Sequence, residues 1–590
     1  MDYSDLAELY EKLAGTTKRL EMIDILVAFF QKTPSNIIDK VIYLTQGKLF
    51  PEWTDNPELG IAEKTALKAI SIAYGISESK LSLKMKEYYH NKTIEDLGGL
   101  VSKIKSKKQK TLFDSVSLSI EEIYNTLVKI TKESGTGANK RKIDLLAGIL
   151  VNLDPKIAKW IIKTVEGKLR IGIADKTMID ALTIAYTGNK ENKEIIEDAY
   201  NKLPDLGHIA KILASEGFEG IKKIRIELGK PIKSMLASRV KTPEEILEKM
   251  GGKCAIEYKY DGMRIQAHYN KGIIHLFSRN LEDISSQFPD IIGYLDAIEA
   301  DQFIIDGECV GINQETGKLK PFQDLMHRRR KFEIEKTVEK YVVNFFVFDI
   351  LYLNGKDLTN TPFLDRKNIL KSLIKENNIK LAEYKIVDNV EDFEEFFEES
   401  LKKGSEGLIA KSIDSTSIYQ AGSRGYIWIK FKESYKEKIG DTIDLIVVAA
   451  NLGKGKRAGV YGAVFGAVYN EQNGEYAMAC KISSGFSDES LEEIMKILEP
   501  LKISDKDPLV VPPNNVKPDQ WFIPKIVIEV KGDEITLSPT YNAAVNRIKE
   551  NVGLSVRFPR YISVREDKKP EDATTVSELI QMYQDQEKSS

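Results

Sequence analysis

The chain has 590 residues, 42% hydrophobic and 30% charged, roughly four domains' worth of sequence at about 150 residues each, which excludes a single small binding module. A net charge of −3 excludes nothing about nucleic acid, because the 86 Lys and Arg residues can still gather on one face. No apolar run reaches about 18 residues and the opening MDYSDLAELYEK carries acids where an export signal carries bases, so no membrane span and a cytoplasmic location are expected.

Residues 1 to about 230 repeat apolar side chains at three- and four-residue intervals, as in "LAELYEKLAGTTKRLEMIDILVAFF" and "KRKIDLLAGILVNL", which predicts an all-α region. Gly229, Pro231 and the helix start Thr-Pro-Glu-Glu at Thr242 punctuate that pattern, so a first domain is placed at 1–232. From Cys254 short β-rich runs alternate with helices: "CAIEYKYDGMRIQAHY", "IIHLFSRN", "FIIDGECVGI", "VVNFFVFDILYLNG", and the helical "TPFLDRKNILKSLIKE". That texture predicts an α+β domain at 233–435. Beyond the charged stretch "KFKESYKEKIGD", expected to be a flexible linker near Ser434 to Asp441, come "TIDLIVVAANLG", "YGAVFGAVYN", "EYAMACKISSG" and "KIVIEVKGDEITL", a pattern for a small β-barrel at 436–590. Thr575 and Glu578 form a capping-box pattern that starts a C-terminal helix. Cys254, Cys309 and Cys480 lie too far apart in sequence for a disulfide framework or a four-thiolate zinc site and are expected to be buried.

The chemistry gathers in the middle domain. In "EYKYDGMR" Lys259 precedes an Asp-Gly turn pair; alone this is an ordinary strand exit as readily as a nucleophile. Five pieces follow in order: "FSRN", "IIDGECV", "FVFDILYLNG", "EGLIAK" and "YIWIKFK". Each sets a charge or an aromatic beside a strand. Singly, Phe348 reads as core, Glu406 as an exposed turn acid and Glu308 as a solvated edge; the ordered set does not arise by chance.

The ordered pieces resemble the covalent nucleotidyltransferase superfamily, and among its members the archaeal and eukaryotic type of ATP-dependent DNA ligase. The likeness extends to "GKLRIGIADKTMIDAL" in the helical region and to "LGKGKRAGVYG" and "RFPRYISVREDK" in the last. It implies a helical DNA-binding domain, an adenylation domain and an OB-fold domain with a C-terminal helix. It implies ATP and Mg²⁺ (or Mn²⁺) as cofactors, nicked double-stranded DNA as partner, and a monomer. Lys259 is then the nucleophile that takes AMP. Glu257, Arg264, Arg279, Glu308, Phe348, Arg424, Lys430 and Lys432 are implied to bind the nucleotide, Glu257 at the adenine amino group and Phe348 against the base. A lysine ammonium cannot attack phosphorus until neighbouring cations or a metal favour its neutral form, and these bases also stabilise phosphate charge. Asp261, Glu308 and Glu406 are the metal candidates, since Mg²⁺ needs only one or two carboxylates beside phosphate oxygens. Arg557 and Lys568 are implied to orient pyrophosphate; a solvated charged face is the plainer reading of that segment.

Gly-rich helix starts around Lys140, Arg141 and Arg170 suit sequence-independent DNA phosphate binding, or are simply capped helix ends. Gln109, Leu112 and Phe113, set among lysines in "KIKSKKQKTLFDSV", resemble a sliding-clamp-binding peptide lacking its second aromatic; the alternative is a loop whose apolar pair tucks into its own domain. RNA ligases and GTP-using capping enzymes share the lysine motif but generally lack a long helical domain. NAD-dependent ligases usually carry a four-cysteine zinc module, and a catalytically dead DNA clamp would not need Lys259, Glu308, Glu406 and Lys430 intact.

Overall fold

The computed structural model of the chain describes residues 1–54, 59, 61–90, 96–104, 118–151, 153–320, 325, 328, 334–375, 378–432, 442–453, 459–513 and 516–587. The expected clamp-binding stretch Gln109 to Phe113 and the expected linker from Ser434 to Asp441 lie outside the described residues. Apolar residues three and four apart give the amino-terminal part helices from Tyr3–Ala14 to Phe218–Ile221, and their buried faces, among them Leu26, Phe30, Ile70, Leu146, Trp160 and Leu182, merge into one core. Local signals set the helix ends. Ser119 and Glu122 make a reciprocal capping box at Ile120–Lys132, and Asp154 caps Pro155–Val165 with proline in the first turn.

Two sheets build the middle region. One runs in the order Leu236–Arg239, Arg424–Lys432, Gly407–Ser412, Cys254–Lys259, Tyr384–Val387. The other runs Ile273–Ser278, Met263–Asn270, Gln302–Gly311, Val343–Leu353, Lys356–Asp357, with Ile379–Leu381 parallel to Val343–Leu353. The expected single run "CAIEYKYDGMRIQAHY" is therefore divided: Cys254–Lys259 belongs to the first sheet and Met263–Asn270 to the second. The crossing at Tyr260 to Gly262 needs its glycine, because a Cβ on Gly262 would stand 2.4 Å from the Cys309 carbonyl oxygen. Thr242 caps Pro243–Lys249 as the Thr-Pro-Glu-Glu pattern predicts.

In the last region Ile443–Leu452 pairs with Tyr461–Tyr469, which pairs with Tyr476–Ile482. Val527–Lys531 joins Ile443–Leu452 to Arg560–Val564. The helix Val576–Glu587 closes the chain; its Val576, Leu579 and Tyr583 enter the core formed by Leu445, Ile528 and Val530. The cysteines are buried, as expected. Among the described residues no helix is long and apolar enough to cross a membrane.

Candidate active site

Strand register brings Lys259 to its partners. Gly407 stands opposite both Lys259 and Lys432 on neighbouring strands, so Lys259, Glu406 and Lys432 meet at one sheet edge. A Cβ at Gly407 would lie 2.1 Å from the Phe431 carbonyl oxygen, so this approach requires glycine. Lys259 Nζ donates to Glu406 Oε2 at 2.7 Å, and Lys432 Nζ lies 2.8 Å from the same oxygen. Burial alone would raise the Glu406 carboxyl; the two ammonium groups outweigh it and hold it well below the usual carboxylate range.

These groups open onto a cavity of about 650 Å³ between the two sheets and the C-terminal region, lined also by Glu257, Asp261, Arg264, Arg279, Glu308, Phe348, Arg424 and Lys430. Arg264 clamps Asp306 with two hydrogen bonds, 3.0 and 2.6 Å, and its guanidinium lies 5.3 Å from the Phe348 ring centre and 5.8 Å from that of Trp428. Glu308 sits opposite Arg264 in register. Desolvation pushes its carboxyl up to about 8, against the pull of Lys259 and Arg264 and with the push of Glu406. Glu257 is 2% exposed, each of its oxygens 2.5 Å from an ammonium, Lys367 on one side and Lys411 on the other.

The C-terminal region supplies acids to the same cavity. Arg424 bonds Glu578, with Lys430 3.7 Å from the same oxygen. Arg279 bonds Asp572 at 3.2 Å, and Lys568 bonds Asp444, which Arg565 also approaches at 3.5 Å. The expected nucleotide residues thus come together, but in this closed arrangement Arg424, Lys430 and Arg279 face carboxylates.

Other expected site residues lie elsewhere. Arg557 is exposed, its Nε donating to Thr536 Oγ1 at 2.7 Å, and it does not line the cavity that Lys568 lines. Lys140 is exposed, and Arg141 is tied to Glu133 at 2.5 Å. Arg170 donates to the carbonyls of Asp505 and Lys506 at 3.3 and 2.9 Å and faces Asp507 at 3.7 Å. Its expected DNA face is covered here by the C-terminal region. Among the described residues no three His, Cys, Asp or Glu side chains form a group that could hold a metal; Asp261, Glu308 and Glu406 all line the cavity. Sequence reasoning missed Asp306, Lys367, Lys411, Trp428, Asp444, Asp572 and the cavity role of Glu578.

The family model described as ATP dependent DNA ligase domain matches residues 234–432, DNA ligase N terminus matches 2–183, and ATP dependent DNA ligase C terminal region matches 457–568. The chain is 44% identical over 600 residues to DNA ligase 2 of Thermofilum pendens, covering 100% of this chain and 98% of that protein. It is 47% identical to a DNA ligase of Sulfophobococcus zilligii (98% and 96% covered) and 43% identical to one of Saccharolobus solfataricus (100% and 98%). With a lysine at the seam of two sheets, a cationic cavity around it and likeness along its whole length, the chain belongs to the ATP-dependent DNA ligase family.

Proposed function

We infer that the chain seals nicks in duplex DNA, using ATP, by way of a lysyl-AMP enzyme and a DNA-adenylate. The observation that carries this reading is Lys259 at the cavity wall among Arg264, Arg279, Lys430 and Lys432. In the first step the neutral Lys259 amine attacks the α-phosphorus; the N–P bond forms as the bond to pyrophosphate breaks. The 5′-phosphate at the nick then takes AMP and frees Lys259, and the 3′-hydroxyl displaces AMP to close the backbone. The surrounding cations stabilise the phosphoryl oxygens as their charge builds. Glu406, hydrogen-bonded to Lys259 at 2.7 Å, orients the nucleophile. Phe348 stacks on the base, Glu257 accepts from its amino group, and Lys568 steers the departing pyrophosphate.

Hard carboxylate oxygens at the cavity wall suit Mg²⁺ or Mn²⁺: Glu308 and Glu406 repel each other, a repulsion a cation relieves, and Asp261 completes the set. When bound, the metal supplies positive charge to the phosphates. In finer detail the reading is a helical DNA-binding domain at 1–232, an adenylation domain at 233–435 and an OB-fold domain with a C-terminal helix at 436–590. Lys140, Arg141 and Arg170 contact backbone phosphates once the closed arrangement opens. A sliding clamp at Gln109, Leu112 and Phe113 and a monomeric state complete the proposal.

The test is incubation with ATP labelled at the α-phosphate, followed by denaturation. The wild-type chain carries label and Lys259→Ala does not, while Lys259→Ala retains part of the sealing of pre-adenylated nicks. Label persisting in Lys259→Ala moves the nucleophile elsewhere.

A further inference from the structure

Lys367 belongs to none of the motifs in the sequence and does not line the cavity, yet it reaches the cavity from behind. It stands on the helix Phe363–Leu373, 1% exposed, with Nζ 2.5 Å from Glu257 Oε1, 3.5 Å from the Ala382 carbonyl and 4.9 Å from the Tyr384 ring centre. Glu257 Oε2 is 2.5 Å from Lys411 Nζ. Lys411 lies 4.9, 4.9 and 4.4 Å from the ring centres of Phe348, Phe363 and Trp428. Glu257, Lys411, Phe348 and Trp428 are the cavity's wall, an aromatic slot with a carboxylate and an ammonium side by side.

We propose that Lys367 is a positioning residue for base selection: by pairing with Glu257 from behind, it keeps that carboxylate an anion that can only accept hydrogen bonds from the nucleotide base. The proposal rests on the ATP-using reading above. A carboxylate anion accepts from a 6-amino purine and repels a 6-oxo group presented in the same orientation, whereas a carboxylic acid can donate to the oxo group. Phosphates held near Lys259 fix the orientation in which the base enters.

Burial disfavours an isolated carboxylate, so its charge depends on its partners. One ammonium is a weak guarantee, because burial pushes the Lys411 ammonium below its ordinary range. The remaining groups do not replace Lys367: Arg366 acts on Glu257 only through space and is held by Asp349 at 2.7 and 2.9 Å, and the phenols of Tyr260 and Tyr384 are not cations. Removing the Lys367 charge therefore leaves the buried Glu257 carboxylate beside Lys411 with one of its two ammonium contacts gone.

The experiment measures kcat/KM for covalent labelling by ATP and by inosine triphosphate, the 6-oxo probe, between pH 5.5 and 8.5, in wild type, Lys367→Met, Lys367→Arg and Glu257→Gln. The expected result is a fall of about tenfold or more in the ATP-to-ITP ratio for Lys367→Met, growing as pH falls, with wild-type preference regained in Lys367→Arg. Glu257→Gln, which places an amide donor at the wall, loses preference at every pH and carries the test if Lys367→Met fails to fold. An ATP-to-ITP ratio in Glu257→Gln or a folded Lys367→Met within twofold of wild type overturns the proposal. So does a ratio lost equally in Lys367→Arg. A wild-type chain that takes no label from ATP overturns the functional reading beneath it.

Discussion

Replacing Glu578 with Gln separates two jobs that one side chain performs. Its Oε2 caps its own helix, accepting from Thr575 N at 3.0 Å and Thr575 Oγ1 at 3.2 Å, and glutamine can keep that cap. Its Oε1 meets Arg424 and Lys430; a glutamine whose single carbonyl oxygen keeps the cap turns its NH2 toward these cations, so the charge and the acceptor are both lost there. Breaking a buried ion pair by removing one partner costs about 3–5 kcal/mol; glutamine keeps the volume and a hydrogen bond, so about 2 kcal/mol is a reasonable share, or roughly thirty-fold in a competing equilibrium. On the reading proposed above, the ATP phosphates compete with this carboxylate for Arg424 and Lys430. Glu578→Gln should therefore lower the KM for ATP in covalent labelling by up to about thirty-fold, read from single-turnover labelling across an ATP series. Burial opposes the charge, but Arg424 and Lys430 hold the Glu578 carboxyl well below its ordinary 4.5. Its contribution to closure is thus complete above that value and is lost as pH falls below it toward the depressed one. The wild-type and variant KM values should converge in acid. An unchanged or raised KM at neutral pH would refute the competition.

Lys568→Ala should slow enzyme adenylation by about a hundredfold and Arg557→Ala by only a few-fold, since Lys568 lines the cavity and Arg557 does not; single-turnover rates of each step decide, and equal slowing contradicts the geometry. Asp507→Asn should tighten binding to nicked duplex several-fold by releasing Arg170, measured by anisotropy, and no change would mean that Arg170 takes no phosphate. Glu166, at the carboxyl end of the helix Pro155–Val165, is pushed up to about 7 by burial. The unfolded chain releases this proton near 4.5 and the folded chain near 7, so the cost of burying the charge grows through that window and is complete above it. Glu166→Gln should stabilise the helical region by about 3 kcal/mol at pH 8 and leave the melting temperature unchanged at pH 4.

Much of the site was legible because its residues come in short strings whose order is itself a signal. Lys259 ends a strand before an Asp-Gly crossing, as the string predicts, and the six strings converge on one cavity. Residues that act through long-range packing were not legible. Asp444, Asp572, Lys367 and Trp428 carry no local pattern that separates them from solvated or core positions. Glu578 carried a signal, the capping box with Thr575, which explained its presence fully and so hid its second oxygen. The cluster of bases in sequence is divided between elements: Arg557 ends the strand Gly553–Arg557, paired with Glu534–Ser538, whereas Lys568 follows Arg560–Val564, paired with Val527–Lys531, so that Lys568 lines the cavity and Arg557 does not. The strand exit at Lys259 is legible in the string, but the change of sheet beyond it is not, because an alternating pattern resumes at Met263.

That change of sheet bears on when the protein becomes competent during its own synthesis. Lys259 leaves the ribosome early, while Glu406, its hydrogen-bond partner, follows 147 residues later, and Lys432 and the hairpin holding them come later still. The cores of the two sheets are separate clusters, so Lys259 stands on a bridge between two units that must each collapse before it has neighbours. A nascent chain shorter than residue 432 has the lysine without its setting. On the reading proposed above, charging of Lys259 with AMP waits until both sheets have formed and docked, and the covalent label would report that docking.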